Sequence, residues 1–202
     1  MAGPFRREDL DEVAALVVAQ WRAGLDRDWS APAGTLEWSC ARTADHTVDS
    51  VLAIAFFLAS RKEDGYPEWG WGELTMGPDA PPVHLVDGLE AVCRVLSGVI
   101  ATAPPGTRAA LRRWPQVDTG GPDDFAARGA LELVLHGADV CAGLGLPLVP
   151  PADLAARLRD HVATWLWVDG RAMPPAVAPI GARPPTDDPW SDLLEGTGRP
   201  RR

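Results

Sequence analysis

The spacing of apolar residues along the chain predicts helices almost throughout. Between residues 8 and 27, apolar side chains recur at three- and four-residue intervals with charged residues between them, which is the pattern of an amphipathic helix. Residues 41–60 contain neither proline nor glycine and become densely apolar from Val51 to Leu58, which predicts a second, largely buried helix. The first two elements are therefore helices, joined by a connection at residues 30–39.

Proline and glycine mark the ends of three further predicted helices. One covers residues 84–102 and ends before Pro104. The next covers residues 123–142, with Pro122 just ahead of it and glycines just beyond its end. The last runs from residue 152 to about residue 168. No segment alternates strongly enough with a period of two to predict a strand.

Two stretches of the chain lack helical spacing. Residues 61–82 form a long linker rich in glycine and proline, yet it also carries aromatic side chains, so we expect it to fold over another part of the molecule. Residues 169–202 are proline-rich and indicate an arm with a short helix at 190–195. We therefore expect an all-α fold in which residues 1–168 form a four-helix bundle with an added helix and the arm docks on the same domain. The aromatic residues of the linker are Tyr66, Trp69 and Trp71.

Composition and charge exclude several classes of partner. The chain of 202 residues carries a formal net charge of -9, which opposes binding to a phosphate backbone, so no nucleic-acid partner is expected. The N-terminus builds no apolar leader, and no stretch approaches the ~18 apolar residues of a membrane span, so we expect a cytoplasmic protein with no membrane association. The cysteines Cys40, Cys93 and Cys141 form no C-x-x-C pair, which argues against disulfides and against thiolate metal ligands.

Two polar residues stand out in the apolar helix predicted at residues 123–142. Glu132 and His136 are four residues apart, so both project from one face of the helix and can reach a common point. An unpaired carboxylate in apolar surroundings is costly, so Glu132 should be protonated, paired or bound to a metal. One metal ion would satisfy both side chains.

A third ligand should come from a neighbouring helix, and the best candidate is His46, early in the second predicted helix. Two histidines and one carboxylate suit zinc and leave a fourth position open for water or substrate, as in catalytic zinc sites. The pattern alone leaves two structural alternatives open. Glu132 and His136 could form a buried ion pair, or Glu132 could pair with Arg128 one turn earlier.

Four other residues near these candidates have weaker signals. Asp139 lies one turn beyond His136 and could orient that histidine. Trp38 is a candidate for the wall of a pocket. His84 and His161 are more simply explained as structural residues, one at a helix start and one beside an apolar stripe.

Two stretches resemble the metal-ligand motifs of a known superfamily. Residues 37–46, with Trp38 eight residues before His46, resemble the first metal-ligand motif of the DinB-like superfamily. The closest branch is the mycothiol-dependent maleylpyruvate isomerase N-terminal domain family. In that family a later helix supplies E-x-x-x-H followed by G-x-D-x-A-x-x-x-G. Here Glu132 and His136 are followed by Gly137, Asp139, Ala142 and Gly143, the last of which is one residue from the simplest spacing.

The C-terminal arm is similar to the same family. Residues 187–194 resemble its closing helix, and Gly198-Arg199-Pro200 resembles the G-R-x-P ending of many short actinobacterial members. The resemblance therefore covers nearly the whole chain. It implies an up-up-down-down helical bundle, a zinc-type ion as cofactor, and a low-molecular-weight thiol such as mycothiol as co-substrate. The metal ligands implied are His46, Glu132 and His136.

The chain departs from mycothiol-dependent maleylpyruvate isomerase itself in two respects. That enzyme carries a further C-terminal domain that contributes to its active site, whereas one predicted helix and the arm follow residue 150 here. Arg42 also stands where many members have an acidic residue. The resemblance therefore implies a metal centre and a thiol, but not the isomerisation of maleylpyruvate.

Three functions fit such a centre. A zinc-type ion that binds a small thiol at its open position lowers the pKa of that thiol and delivers a thiolate to a small electrophile, as an S-transferase or isomerase would. The same ion could instead activate water for hydrolysis. In the third, non-catalytic case the ion only ties two helices together. The sequence leaves open the electrophile, the identity of the thiol and whether the chain forms a homodimer.

Overall fold

The computed structural model describes residues 3–68, 75–77, 80–112, 117–163 and 185–199. Within these ranges the chain is mostly helical, which confirms the helical fold class. No helix among the described residues is long and apolar enough to cross a bilayer. In chain order the elements are α1 (Arg7–Ala23), α2 (Cys40–Ser60), α3 (Pro82–Thr102), β1 (Ala109–Arg112), β2 (Asp118–Gly120), α4 (Pro122–Gly143), α5 (Ala152–Val162) and α6 (Pro189–Gly196).

The helix boundaries follow local signals in the sequence. Ser39 caps α2 by accepting a hydrogen bond from the Arg42 backbone N–H at 3.2 Å. The predicted extension of the first helix to residue 27 is wrong, because the helix ends at Gly24, whose N–H bonds the Trp21 carbonyl. The fifth helix is predicted to extend to about residue 168, but residues 164–168 lie outside the described residues.

The expectation that no strand forms is also wrong. β1 and β2 pair as a two-stranded antiparallel sheet in which Ala109 lies opposite Gly120, with an irregularity between Ala110 and Arg112. The strands have four and three residues, which is too short for a period of two to be recognised in the sequence. Such a ribbon is marginal alone, and here β1 packs on α2, with the Ala110 N–H donating to the Lys62 carbonyl at 2.7 Å.

Helices α1 to α4 share one core in which α4 is buried on almost every side. Both α1 and α2 pack against α3 and against α4. The direction of α1 relative to α4 is parallel, because Leu10 lies beside Gly129 and Val17 lies beside Gly137. The direction of α2 is opposite, because Cys40 at its start contacts the end of α4. The α4 residues with no more than 1% exposure include Phe125, Ala126, Ala127, Ala130, Leu131, Leu133, Val134, Ala138, Val140 and Cys141.

The helix directions differ from the expected up-up-down-down order. Arg7 contacts Ser97 at 3.4 Å and Arg22 contacts Asp87 at 3.0 Å, so α3 runs antiparallel to α1. With α4 parallel to α1 and α2 antiparallel to α4, the order is up-down-down-up. Parallel neighbours α2 and α3 require the chain to return the length of a 21-residue helix, about 32 Å. The linker at residues 61–81 is long enough for that return, at up to about 3.3 Å per residue.

The C-terminal segment at residues 185–199 lies against α5 and α4. Its helix α6 packs on α5, and Arg159 of α5 contacts the Asp192 carboxylate at 2.9 Å. The apolar side of α6 is buried: Trp190, Leu193 and Leu194. Residues 169–184 of the expected arm lie outside the described residues.

Asp124 joins the start of α4 to α5. Its carboxylate accepts a hydrogen bond from the Gly121 N–H at 2.8 Å and lies 3.0 Å from Nε2 of His161. The bond with His161, helped by that from Gly121, outweighs the effect of burial and lowers the pKa of Asp124 below its ordinary value of 3.8. The carboxylate form therefore stabilises the folded state.

A glycine near the end of α4 fixes the approach of α4 to α2. A Cβ at Gly143 would overlap the carbonyl oxygen of Pro32 and the Sγ of Cys40, the first residue of α2. The Cys40 thiol also lies 3.6 Å from the Val140 carbonyl oxygen. This contact positions the first turns of α2, and with them His46, against α4.

We predict that Gly143→Ala lowers the free energy of unfolding by about 1–3 kcal/mol, because a backbone carbonyl cannot move aside for the added methyl group. Gly98→Ala is the matched control, since a Cβ at this exposed position of α3 meets nothing within 4 Å. It should raise stability by up to about 1 kcal/mol. Urea unfolding of both variants measures the difference, and equal effects of the two substitutions would contradict the close approach.

We predict that Asp124→Asn is less stable than the parent at pH 7 and that the difference disappears in acid. A lowered carboxyl pKa contributes stability above the unfolded value of 3.8 and loses it as the pH falls through the folded pKa. Unfolding by urea at pH 7, 5 and 3 tests this, with the exposed Asp26→Asn as control. A difference that grows on acidification would show that Asp124 does not stabilise the fold through its charge.

Candidate metal centre

The three predicted ligands lie together where α2 packs on α4. His46 is in the second turn of α2, and its ring centroid is 5.3 Å from that of His136, with the rings nearly perpendicular at 84°. On α4 the Glu132 Oε2 lies 3.5 Å from His136 Nε2. The helical spacing of Glu132 and His136 thus places them side by side, and the contact between α2 and α4 brings His46 to the same point.

The surroundings of Glu132 stabilise a charged side chain poorly. Its side chain is 12% exposed and that of His136 is 15% exposed, on a helix whose neighbouring positions are apolar. Among the described residues, no hydrogen-bond donor contacts the Glu132 carboxylate; its closest polar neighbour is His136. A carboxylate with so little access to water and no protein donor gains less compensation for its charge than an exposed one.

The distance between Glu132 and His136 suits a shared metal ion better than a direct bond. At 3.5 Å the Oε2 and Nε2 atoms are farther apart than a good N–H to O hydrogen bond allows. Two ligands that each lie about 2.1 Å from a tetrahedral zinc ion are about 3.4 Å apart. The other ring nitrogen, His136 Nδ1, is buried without a hydrogen-bond partner. The donor atoms of α4 therefore fit a zinc-type ion.

Arg128 does not neutralise Glu132, although it lies one turn earlier on α4. Its Nη1 donates to the Tyr66 hydroxyl at 3.0 Å and to the Leu111 carbonyl oxygen, and its guanidinium faces the rings of Phe57 and Tyr66 at 5.6 and 5.5 Å. No ion pair joins Arg128 to Glu132 in the part of the chain that the structure describes. The alternative in which this pair explains Glu132 therefore lacks support.

His46 is the candidate ligand with a contact that would compete with metal binding. The Ser50 hydroxyl lies 3.3 Å from His46 Nε2, so an ion would have to displace that contact or bind at Nδ1. Consistent with this, no group of three or more His, Cys, Asp or Glu side chains within the described ranges is already arranged to hold a metal ion. The pair on α4 is the better formed half of the candidate centre.

Trp38 covers the outer side of His46. The Trp38 and His46 ring centroids are 5.2 Å apart and the rings meet edge to face. Trp38 also contacts Arg42, whose guanidinium lies 4.5 Å from the Trp38 ring centroid. The linker after α2 also reaches this place, because the Met76 N–H donates to Asp45 at 2.7 Å. Its residues Trp69 and Trp71, which were predicted to fold over another part of the molecule, lie outside the described residues.

Asp139 contacts the far side of the His136 ring. Its Oδ2 lies 3.5 Å from His136 Nδ1, and its side chain is only 3% exposed. Arg199, from the segment after α6, donates from Nε to both carboxylate oxygens at 3.1 Å and from Nη2 to Oδ2 at 2.8 Å. Burial would raise the pKa of Asp139, but the contacts with His136 and Arg199 outweigh it and leave the pKa below its ordinary value.

Sequence reasoning did not assign any role to Arg199. Its partner Asp139 lies sixty positions earlier in the chain, so no local spacing links the two residues. The available signal was indirect: an aspartate in a helix that is otherwise buried requires a cation, and the described helices α1 to α5 place none on it.

The other two histidines lie on α3 and α5. His84 is exposed at the start of α3, and His161 pairs with Asp124, as described above. All three cysteines are buried, and none of them forms a disulfide. Burial raises the pKa of Cys40 to about 11 and that of Cys93 to about 12, so neither supplies a thiolate near neutral pH.

Comparison with protein-family models, with curated proteins and with solved structures finds no significant similarity. The resemblance of residues 37–46 and 132–143 to DinB-like motifs therefore stays a prediction. What the centre can do is inferred from its geometry and from the chemistry of its side chains.

We predict that Glu132→Gln in metal-free protein is as stable as the parent or more stable by up to about 1 kcal/mol, because the amide removes a desolvated charge that has no donors. Asp139→Asn is the contrasting variant. It breaks a buried charge pair with Arg199 and should cost about 3 kcal/mol. Urea unfolding at pH 7 with a chelator present compares them. A loss for Glu132→Gln as large as that for Asp139→Asn would mean that Glu132 belongs to a structural ion pair.

Proposed function

We propose that this protein is a metal-dependent enzyme in which a zinc-type ion, held by His46, Glu132 and His136, activates a low-molecular-weight thiol for attack on a small electrophile. The observation that carries this proposal is the pair on α4: a carboxylate without hydrogen-bond donors placed 3.5 Å from an imidazole nitrogen. The reaction would be an S-transfer or an isomerisation.

Each residue at such a centre would have its own role. Glu132 and His136 would hold the ion from α4, and His46 would complete the set from α2. When bound, the ion would lower the pKa of a coordinated thiol and so supply a thiolate at neutral pH. Trp38 shields the His46 side of the centre, which limits access of water there.

The proposal for the thiol comes from the family resemblance. Residues 37–46 and 132–143 are similar to the two ligand motifs of the mycothiol-dependent maleylpyruvate isomerase N-terminal domain family. The first segment leads into the start of α2 and the second lies in α4, and the packing of these two helices supports a shared metal centre. We infer membership of the DinB-like superfamily and propose mycothiol, or a thiol of that class, as co-substrate in the cytoplasm.

The buried cysteines support an external thiol. The reacting sulfur of a thiol-dependent enzyme must reach both the ion and the electrophile. Cys40 and Cys93 are buried with raised pKa values, and Cys40 lies against the backbone of α4 rather than beside Glu132. A sulfur nucleophile at this centre would therefore have to come from a bound small molecule.

We predict that the purified protein binds about one equivalent of zinc per chain and that His136→Ala abolishes this binding while the protein stays folded. The fold draws its stability from apolar burial spread over several helices, so one polar side chain is dispensable for folding. Zinc titration with a competing chromophoric chelator measures the loss. His84→Ala, at an exposed position of α3, is the matched control and should bind zinc like the parent.

Cobalt substitution then separates the possible functions. Addition of a small thiol to the cobalt-loaded protein should produce a sulfur-to-cobalt charge-transfer band in the near ultraviolet, which His136→Ala should lack. A cobalt spectrum that responds to pH but not to thiol would favour the hydrolase. Failure of the parent protein to take up zinc or cobalt would contradict the metal centre altogether.

A further inference from the structure

We propose that Arg199 is a positioning residue of the metal centre: it holds Asp139, which in turn fixes the ring of His136, so that the C-terminal segment at residues 185–199 forms part of the site. The expected effect of Arg199 on metal binding rests on the proposed function. Its effect on His136 can be tested without any metal.

The contact between Arg199 and Asp139 constrains the orientation of the carboxylate. Three N–H to O contacts at 2.8–3.1 Å join the planar guanidinium to both oxygens of Asp139. A fork of parallel donors fixes the plane of a carboxylate, which a single donor or a lysine ammonium does not. With side-chain exposures of 3% for Asp139 and 15% for Arg199, solvent screens this pair only weakly.

The oriented carboxylate faces the buried nitrogen of His136. The Oδ2 atom that accepts from Arg199 Nη2 is the same atom that lies 3.5 Å from His136 Nδ1. That nitrogen is buried and makes no hydrogen bond in the described part of the chain, since 3.5 Å exceeds a good N–H to O distance. The Asp139 carboxylate therefore acts on this side of the ring by contact and charge, and its orientation determines what the Nδ1 edge of His136 meets. The opposite nitrogen, Nε2, faces Glu132 and is the atom that would bind the ion.

The backbone after α6 aims Arg199 at this point. The Gly198 N–H bonds the Glu195 carbonyl at 3.1 Å and the Arg199 N–H bonds the Leu194 carbonyl at 2.8 Å, with Gly198 in the left-handed region at φ 80°. These two bonds and the glycine conformation form a Schellman motif, which ends the helix and reverses the chain. The Schellman motif therefore sets the position of Arg199.

A second ion pair in the same segment provides a control. Arg159 of α5 contacts Asp192 of α6 at 2.9 Å, and both side chains are about as buried as Arg199, at 15% and 14% exposure. Loss of this pair weakens the docking of α6 without removing any group that contacts Asp139. Asp192→Asn thus separates docking of the segment from positioning of His136.

The test compares Arg199→Gln, Arg199→Lys and Asp192→Asn with the parent in two measurements, under conditions where thermal melts show all four to be folded. In metal-free protein, nitrogen-15 NMR of the histidine rings should give the same His136 signals in the parent and in Asp192→Asn. Those signals should shift in Arg199→Gln, because the Asp139 carboxylate beside Nδ1 is no longer held in place. Zinc affinity should fall about 10–100-fold in Arg199→Gln, less in Arg199→Lys, and less than about twofold in Asp192→Asn.

Two outcomes would overturn the proposal. If Arg199→Gln keeps both the His136 ring signals and the zinc affinity of the parent, Arg199 does not position His136. If Asp192→Asn changes them as much as Arg199→Gln does, the segment acts through docking alone. Failure of the proposed function is distinguishable from both, because a parent protein that binds no zinc still reports the effect of Arg199 on the His136 ring signals.

Discussion

The close packing of α4 requires the polar side chains in its buried stretch, residues 125–141, to find partners inside the protein. Two charged residues of this stretch do so: Arg128 donates to a carbonyl and a hydroxyl, and Asp139 accepts hydrogen bonds from Arg199. Glu132 and His136 stand between them and satisfy one another only partly, at 3.5 Å. Glu132 and His136 therefore differ from the two satisfied residues, because they lack the donors that would stabilise them, and this difference is the reason for proposing a metal centre there.

The packing of α4 also explains why the centre lies between α2 and α4. Where Gly143 meets Pro32 and Cys40, the start of α2 is held against the end of α4, and α2 then runs back along α4 in the opposite direction. His46, less than two turns from Cys40, is carried to the level of His136. The backbone contact at Gly143 and the ring contact between the histidines are thus two results of one helix crossing.

Much of this arrangement could be predicted from the sequence, because proline, glycine and apolar spacing are local signals. They give α2, α3 and α4 to within about two residues. Amphipathic spacing continued past Gly24 and hid the end of α1, and the strands at 109–112 and 118–120 were too short to show a period. The helix directions depend on the path of a linker. The contact of Arg199 with Asp139 depends on the packing of segments that are distant in the sequence. No pattern within one segment predicts the helix directions or this contact.

The surroundings of Glu132 are the strongest physical reason to look for a ligand. A glutamine at this position would fill the same space without a charge, so we expect the metal-free protein to be no less stable with glutamine there. A ligand that binds only the folded state stabilises it by about 4 kcal/mol at a thousandfold excess over its dissociation constant. That gain is of the size needed to offset one desolvated carboxylate. A cation bound between Glu132 and His136 would supply the compensation that no hydrogen bond from the described residues provides, which is the physical case for the proposed centre.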